Sequence, residues 1–173
     1  MTQSTTSTLP VDGGIAKSRR ERRWRRGGTG GLAVVLAFGL TGRLGVHTST
    51  KHVMASEIDT TLVYPDVTRP GLAVAWRLDV TGLGANVERL DVTLSAAYLD
   101  SFDHNLVTPQ PERVSRTADV VTFQFNLAGA QSFEMSLDMR LEPGVQWRRK
   151  SETIVTLDGE RLATFDYTTW VAP

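Results

Sequence analysis

The 173-residue chain contains no cysteine. That absence excludes a disulfide framework, a thiolate nucleophile and a cysteine-ligated zinc site, so any folded domain must rely on its core. Histidine is scarce as well: of His47, His52 and His104, only the last lies in a strand-rich region. Neither a G-x-S-x-G elbow nor an H-E-x-x-H zinc helix occurs. With no nucleophile placed beside a base, and nothing that points to a cofactor, an enzyme is not expected. No uncharged run reaches the length of a comfortable membrane helix, the longest being the 16 residues from Gly27 to Gly42.

What is present is a strong charge asymmetry hidden under a formal net charge of zero. Lys17, Arg19, Arg20, Arg22, Arg23, Arg25 and Arg26 face only Asp12 and Glu21, so the N-terminal end is basic. From residue 44 onward, eleven Lys and Arg oppose seventeen Asp and Glu, a net charge of −6 that disfavours a nucleic-acid role for this part. Between them lies the apolar run Gly31–Leu40. As a helix the 16 uncharged residues span roughly 24 Å, and a snorkelling Arg43 extends the span through Val46. The arginine cluster is retained in the cytoplasm and the acidic part crosses. The expectation is a disordered basic tail over 1–26, a signal anchor over 27–46, a stalk over 47–56 and an extracytoplasmic domain over 57–173. The rival reading is a secreted domain freed by signal-peptide cleavage after Ala55. Ala55 stands more than ten residues beyond the apolar run, with Arg43, Lys51 and two histidines between, which favours the anchor.

The exported part has period two. Leu72, Val74, Trp76, Leu78 and Val80 alternate with polar or small residues, as do Leu90, Val92 and Leu94, then Val121, Phe123, Phe125 and Leu127, then Phe133, Met135, Leu137, Met139 and Leu141. Ile58–Tyr64 opens the series; Glu152–Leu157 and Arg161–Val171 close it as a hairpin through Asp158-Gly159. Only Ala96–Phe102 breaks the alternation, suggesting a helical turn between sheets. About seven strands predict an all-β, immunoglobulin-like antiparallel sandwich preceded by one transmembrane helix.

Two clusters are candidate sites. The carboxylates and amide of Asp100, Asp103 and Asn105 suit a hard cation such as calcium, yet lack the glycine and distal glutamate of an EF-hand loop; an Asp/Asn-rich loop that caps its own backbone gives the same pattern. Trp147, Arg148, Arg149 and Lys150 form the one basic run of the acidic domain, suited to a partner surface or to anionic headgroups. His47 and His52, five apart on the expected stalk, preorganise no metal.

Four segments carry a resemblance: Val63-Tyr-Pro-Asp-Val-Thr-Arg-Pro-Gly-Leu72, Tyr98-Leu-Asp-Ser-Phe-Asp103, Leu141-Glu-Pro-Gly-Val-Gln-Trp147 and Tyr167-Thr-Thr-Trp-Val-Ala-Pro173. With them the chain resembles uncharacterised single-pass, membrane-anchored β-sandwich proteins of high-GC Gram-positive bacteria. The resemblance implies a cell-membrane location and a single-pass architecture, and brings no catalytic residues with it. The function expected is a non-enzymatic extracytoplasmic module that binds or scaffolds another envelope protein; the alternative is a small-ligand or calcium sensor.

Overall fold

The computed structural model describes residues 28–31, 45–145 and 147–172, apart from the side chains of His104, Asn105 and Trp147. The basic tail 1–26 and most of the segment 27–46 lie outside the described residues. Residues 28–31 are helical, and among the described residues no helix is long and apolar enough to cross a membrane. The chain divides into two units, Met1–Leu44 and Gly45–Pro173.

The second unit holds ten strands: β1 (His47–Ala55), β2 (Ile58–Thr68), β3 (Ala73–Thr81), β4 (Arg89–Ser95), β5 (Phe102–Thr108), β6 (Arg113–Arg116), β7 (Val120–Asn126), β8 (Ser132–Leu141), β9 (Trp147–Leu157) and β10 (Glu160–Val171). They form one sheet in the order β5-β8-β3-β2-β10-β9-β4-β7-β6, with β1 paired to β2. Phe125 of β7 and Phe133 of β8 belong to strands near opposite ends of that order, yet their rings lie 4.8 Å apart. Trp76 of β3 likewise donates from Nε1 to the Tyr167 hydroxyl of β10 at 3.0 Å. The sheet is therefore folded on itself into two layers, β5-β8-β3-β2 and β10-β9-β4-β7-β6, around a single core.

The all-β sandwich agrees with the sequence reading, but its details depart from the expectation. Among the described residues there are ten strands rather than about seven, and the pairing of Trp170 and Val171 with Val67 and Thr68 is parallel, which a wholly antiparallel sandwich lacks. The expected stalk is strand β1, antiparallel to β2 from Ala55↔Ile58 to His47↔Val67. Its Thr, Ser and Lys residues conceal the alternation, because an edge strand with one open flank needs few apolar side chains. Val53 still turns inward against the core. Val46, read as the end of the membrane segment, also packs there. Strands β5 and β6 were missed for the same reason: both are edges, and all four β6 residues are exposed.

Inward residues match the period-two reading. Leu62, Trp76, Leu78, Val80, Leu90, Val92, Leu94, Met135 and Met139 are at most 1% exposed. Leu72 is the exception at 42%, because it precedes β3 in the turn after Pro70. The segment Ala96–Leu99 is a single helical turn, α1, that carries the chain from β4 in one layer to β5 in the other, with Tyr98 and Leu99 buried. Gly82, at φ +79, ends β3 where a methyl group would collide with the Glu57 carbonyl oxygen.

A hydroxyl network stitches the layers through this core. The Tyr167 hydroxyl lies 3.2 Å from Thr153 Oγ1 as well as accepting from Trp76; Tyr98 and Thr169 share a 3.0 Å hydrogen bond, and Thr169 Oγ1 donates to the Pro65 carbonyl at 2.6 Å. Burial pushes the Tyr98 hydroxyl well above the ordinary tyrosine value of 10.0, and the neighbouring Tyr167 adds to the shift. Burial also raises Tyr167, against the pull of its hydrogen bonds to Ser151, Thr153 and Trp76.

Two outcomes follow for stability. Trp76→Ala removes a ring that is 1% exposed, so it should lower unfolding free energy by about 3–5 kcal/mol in urea titrations. The raised tyrosines keep their protons in the folded state to a higher pH than in the unfolded chain. Their contribution is thus complete below the unfolded value near pH 10 and is lost as pH rises toward the folded values, at up to about 1.4 kcal/mol per pH unit for each tyrosine. Urea midpoints measured from neutral pH to pH 11 should fall only above about pH 10, and Tyr98→Phe should flatten that fall.

Candidate functional site

The register of the second layer fixes which outward side chains stand side by side. Thr164 of β10 pairs with Ile154 of β9, Ile154 with Thr93 of β4, Thr93 with Thr122 of β7, and Thr122 with Ser115 of β6. These five residues form one row across five strands, about 19 Å long at the usual strand spacing. All five are uncharged and present methyl or hydroxyl groups. Thr93 and Thr122 share a hydrogen bond of 2.9 Å between their Oγ1 atoms.

The rows on either side carry charge. On one side Arg161, Thr156, Asp91, Gln124 and Arg113 align; on the other stand Asp166, Glu152, Ser95 and Val120. Arg89 and Asp91, adjacent on the outward face of β4, form an ion pair at 3.4 Å. A depression of about 350 Å³ opens beside the neutral row, lined among others by Thr93, Ser95, Val120, Lys150, Glu152, Ile154 and Asp166.

The outer face of the first layer differs. Its rows read Asp59–Thr81–Ser132, His52–Thr61–Asp79–Glu134, Thr50–Val63–Arg77–Ser136–Thr108, Ala75–Asp138–Leu106 and Ala73–Arg140–Asp103. Each is broken by at least one charged residue. A wider depression of about 590 Å³ lies there beside Val63, Ala73, Ala75, Arg77, Glu134 and Asp138.

The residues singled out from sequence are placed as follows. Asp100 follows α1, and both its carboxylate oxygens accept from Arg116 Nη2 at 2.7 and 2.6 Å. Asp103 lies on β5 opposite Arg140, and the side chain of Asn105 is outside the described residues. Among the described residues, no group of three or more His, Cys, Asp and Glu is gathered to hold a metal. Trp147 begins β9 opposite Val171. Arg148 and Lys150 point outward from β9, and Arg149 points inward with its Nε buried and without a hydrogen-bond partner. The Arg148 guanidinium lies over the ring of Trp170, 5.5 Å from its centroid. His52 Nδ1 lies 2.8 Å from Thr61 Oγ1 on the exposed flank of β1.

No protein-family model matches the chain, and no curated protein matches it significantly. Solved structures do match. A non-cellulosomal cohesin from the hyperthermophilic archaeon Archaeoglobus fulgidus is similar at a TM-score of 0.43 and 14% identity, over 66% of this chain and 91% of that one. The sixth cohesin of scaffoldin B from Acetivibrio cellulolyticus, solved with a dockerin, gives 0.36 and 12% over 74% and 94%. A chain of a type I cohesin–dockerin complex from Clostridium thermocellum gives 0.34 and 10% over 74% and 94%. Likeness at this level carries neither a partner nor an activity across.

The engaged Asp100 carboxylate yields a direct test of the calcium reading. Calcium added to the full chain should leave the thermal midpoint unchanged. Arg116→Ala, which breaks an exposed ion pair, should cost less than about 1 kcal/mol in the same assay.

Proposed function

We propose that this chain is a non-enzymatic binding module of the cell envelope, held at the membrane by the expected anchor without Val46, which packs on the core, and docking a protein partner on the outer face of β10, β9, β4, β7 and β6. The neutral row Thr164–Ile154–Thr93–Thr122–Ser115 carries this reading. Interface centres are depleted of charge relative to the surrounding surface, and rims are polar. A strip of methyl and hydroxyl groups between two charged rows has that arrangement: its centre costs less to desolvate than charged groups would, and its flanks supply register.

Two hydroxyls of the row, those of Thr93 and Thr122, hydrogen-bond to each other, and the two histidines with described side chains, His47 and His52, stand on β1 rather than beside the row. The anchor reading is supported by β1 itself. Cleavage after Ala55 would strip away a nine-residue strand whose Val53 packs on the core, leaving the flank of β2 open. A retained N-terminus keeps that strand in place.

The test is photo-crosslinking in intact cells, with benzoylphenylalanine at Ile154 or, on the other face, at Ala75. A discrete protein adduct should form from position 154 alone, and Thr93→Arg should abolish it while leaving the melting temperature unchanged. Equal adducts from both faces, or an adduct at 154 indifferent to Thr93→Arg, would overturn the assignment.

A further inference from the structure

Register also fixes what gathers where the chain enters its folded unit. His47, the first residue of β1, is the partner of Val67 on β2, and Val67 is equally the partner of Trp170 on β10. Trp170 faces Arg148 across the β9–β10 ladder. The turn from Arg69 to Leu72 leaves β2 at the same end. One corner beside the entry point therefore presents Trp170, 54% exposed, Leu72, 42% exposed, the Arg148 guanidinium over the indole, and Lys150 on the same outward face of β9. Among the described residues, neither Arg148 nor Lys150 forms an ion pair.

A half-exposed tryptophan stacked with arginine matches the chemistry of a membrane interface. Indole rings settle at headgroup level, and cations pair with lipid phosphates. We propose that this corner is a headgroup-docking surface, in which Trp170 and Leu72 enter the interfacial layer while Arg148 and Lys150 bind anionic phospholipid. The proposal rests on the membrane-anchor reading. The chain outside the folded unit supplies the proximity: only three residues stand between Arg43, at the end of the apolar segment, and His47, four steps with a reach of at most about 14 Å even when extended. Charge supplies the orientation. Residues 44–173 carry a net −6, so an anionic membrane repels the body of the unit, and Arg148–Lys150 is its one run of three bases. The corner borders the neutral row on the same outer face: Lys150 also lines the depression beside it, while the row itself lies further along β9 and β10 toward the Asp158 turn.

The absence of native cysteine makes the test direct. Single cysteines are placed in the full chain at Ala172→Cys, in this corner, or at Asn86→Cys, in the β3–β4 loop at the far end, and labelled with bimane. The protein is reconstituted in vesicles carrying a headgroup-level doxyl quencher, composed of phosphatidylglycerol and phosphatidylcholine or of phosphatidylcholine alone. Flotation reports anchoring separately. Quenching at position 172 should exceed that at 86 several-fold in the anionic vesicles. It should drop in neutral vesicles, with Arg148→Glu combined with Lys150→Glu, and with Trp170→Ala. Equal quenching at both positions in protein that floats, or quenching at 172 that ignores these substitutions, overturns the docking surface and leaves the anchor standing. Protein that fails to float removes the anchor and the docking surface with it.

Discussion

Because β2 pairs with β3 along its first half and with β10 at its last two residues, its backbone has to leave one layer and enter the other within eleven residues. The transition falls at Pro65 and Asp66, where the ladder with β1 slips by one residue. Proline suits the site because it has no amide hydrogen to leave unpaired, and its carbonyl is taken by Thr169 of β10. Asp66 Oδ2 accepts from Ser49 Oγ of β1 at 2.8 Å, so the first strand braces the bend. Lys51 extends the bracing by donating from Nζ to the Asp166 carbonyl of β10. The buried hydroxyls cluster beside this passage for a physical reason: where two layers part, ladder hydrogen bonds run out, and side chains must supply the partners that buried backbone groups need.

That geometry explains which parts of the fold were legible in the sequence. Strands β3, β4, β7 and β8 are buried on one face only, and their alternation appears residue for residue in the burial of Trp76, Val92, Phe123 and Met135. The hairpin at Asp158-Gly159 was equally plain, because both residues adopt positive φ as a tight two-residue connection requires. The edges were not. β1, β5 and β6 place few side chains in the core, and hydrophobic periodicity reports burial rather than pairing. The parallel contact of β2 with β10 left no local mark, since two paired residues on each strand alter no composition.

The candidate sites show the same division. Asp100, Asp103 and Asn105 are close in sequence, but the carboxylate of Asp100 is bound to Arg116, sixteen residues onward, which no local motif foretells. Arg148 and Lys150 do lie outward together, as alternation along β9 requires, and their neighbour Trp170 came into view only through the β9–β10 ladder. The neutral row was invisible for the most instructive reason. Its members come from five strands spread over residues 93 to 164, and each is an unremarkable outward hydroxyl or aliphatic residue until register sets them in line.

What keeps them in line is turn chemistry at the far end of the layer. A one-residue slip of β4 against β9 would turn Leu90, Val92 and Leu94 outward and is forbidden by the core. A two-residue slip preserves burial but would carry Asp91 or Ser95 into the place of Thr93, breaking the row or shifting it off Ile154. Asp158 opposes that slip: its carboxylate accepts the Arg89 amide at 2.8 Å and the Glu88 amide at 3.4 Å, and its own amide donates to the Arg89 carbonyl at 3.0 Å. These bonds tie the β9–β10 turn to the first residue of β4, so that Leu90 meets Leu157 and, further along the same ladder, Thr93 meets Ile154. The aspartate of the hairpin thus does two things that a generic turn residue would not. It adopts the left-handed conformation the turn needs, and it sets the alignment on which the neutral row depends.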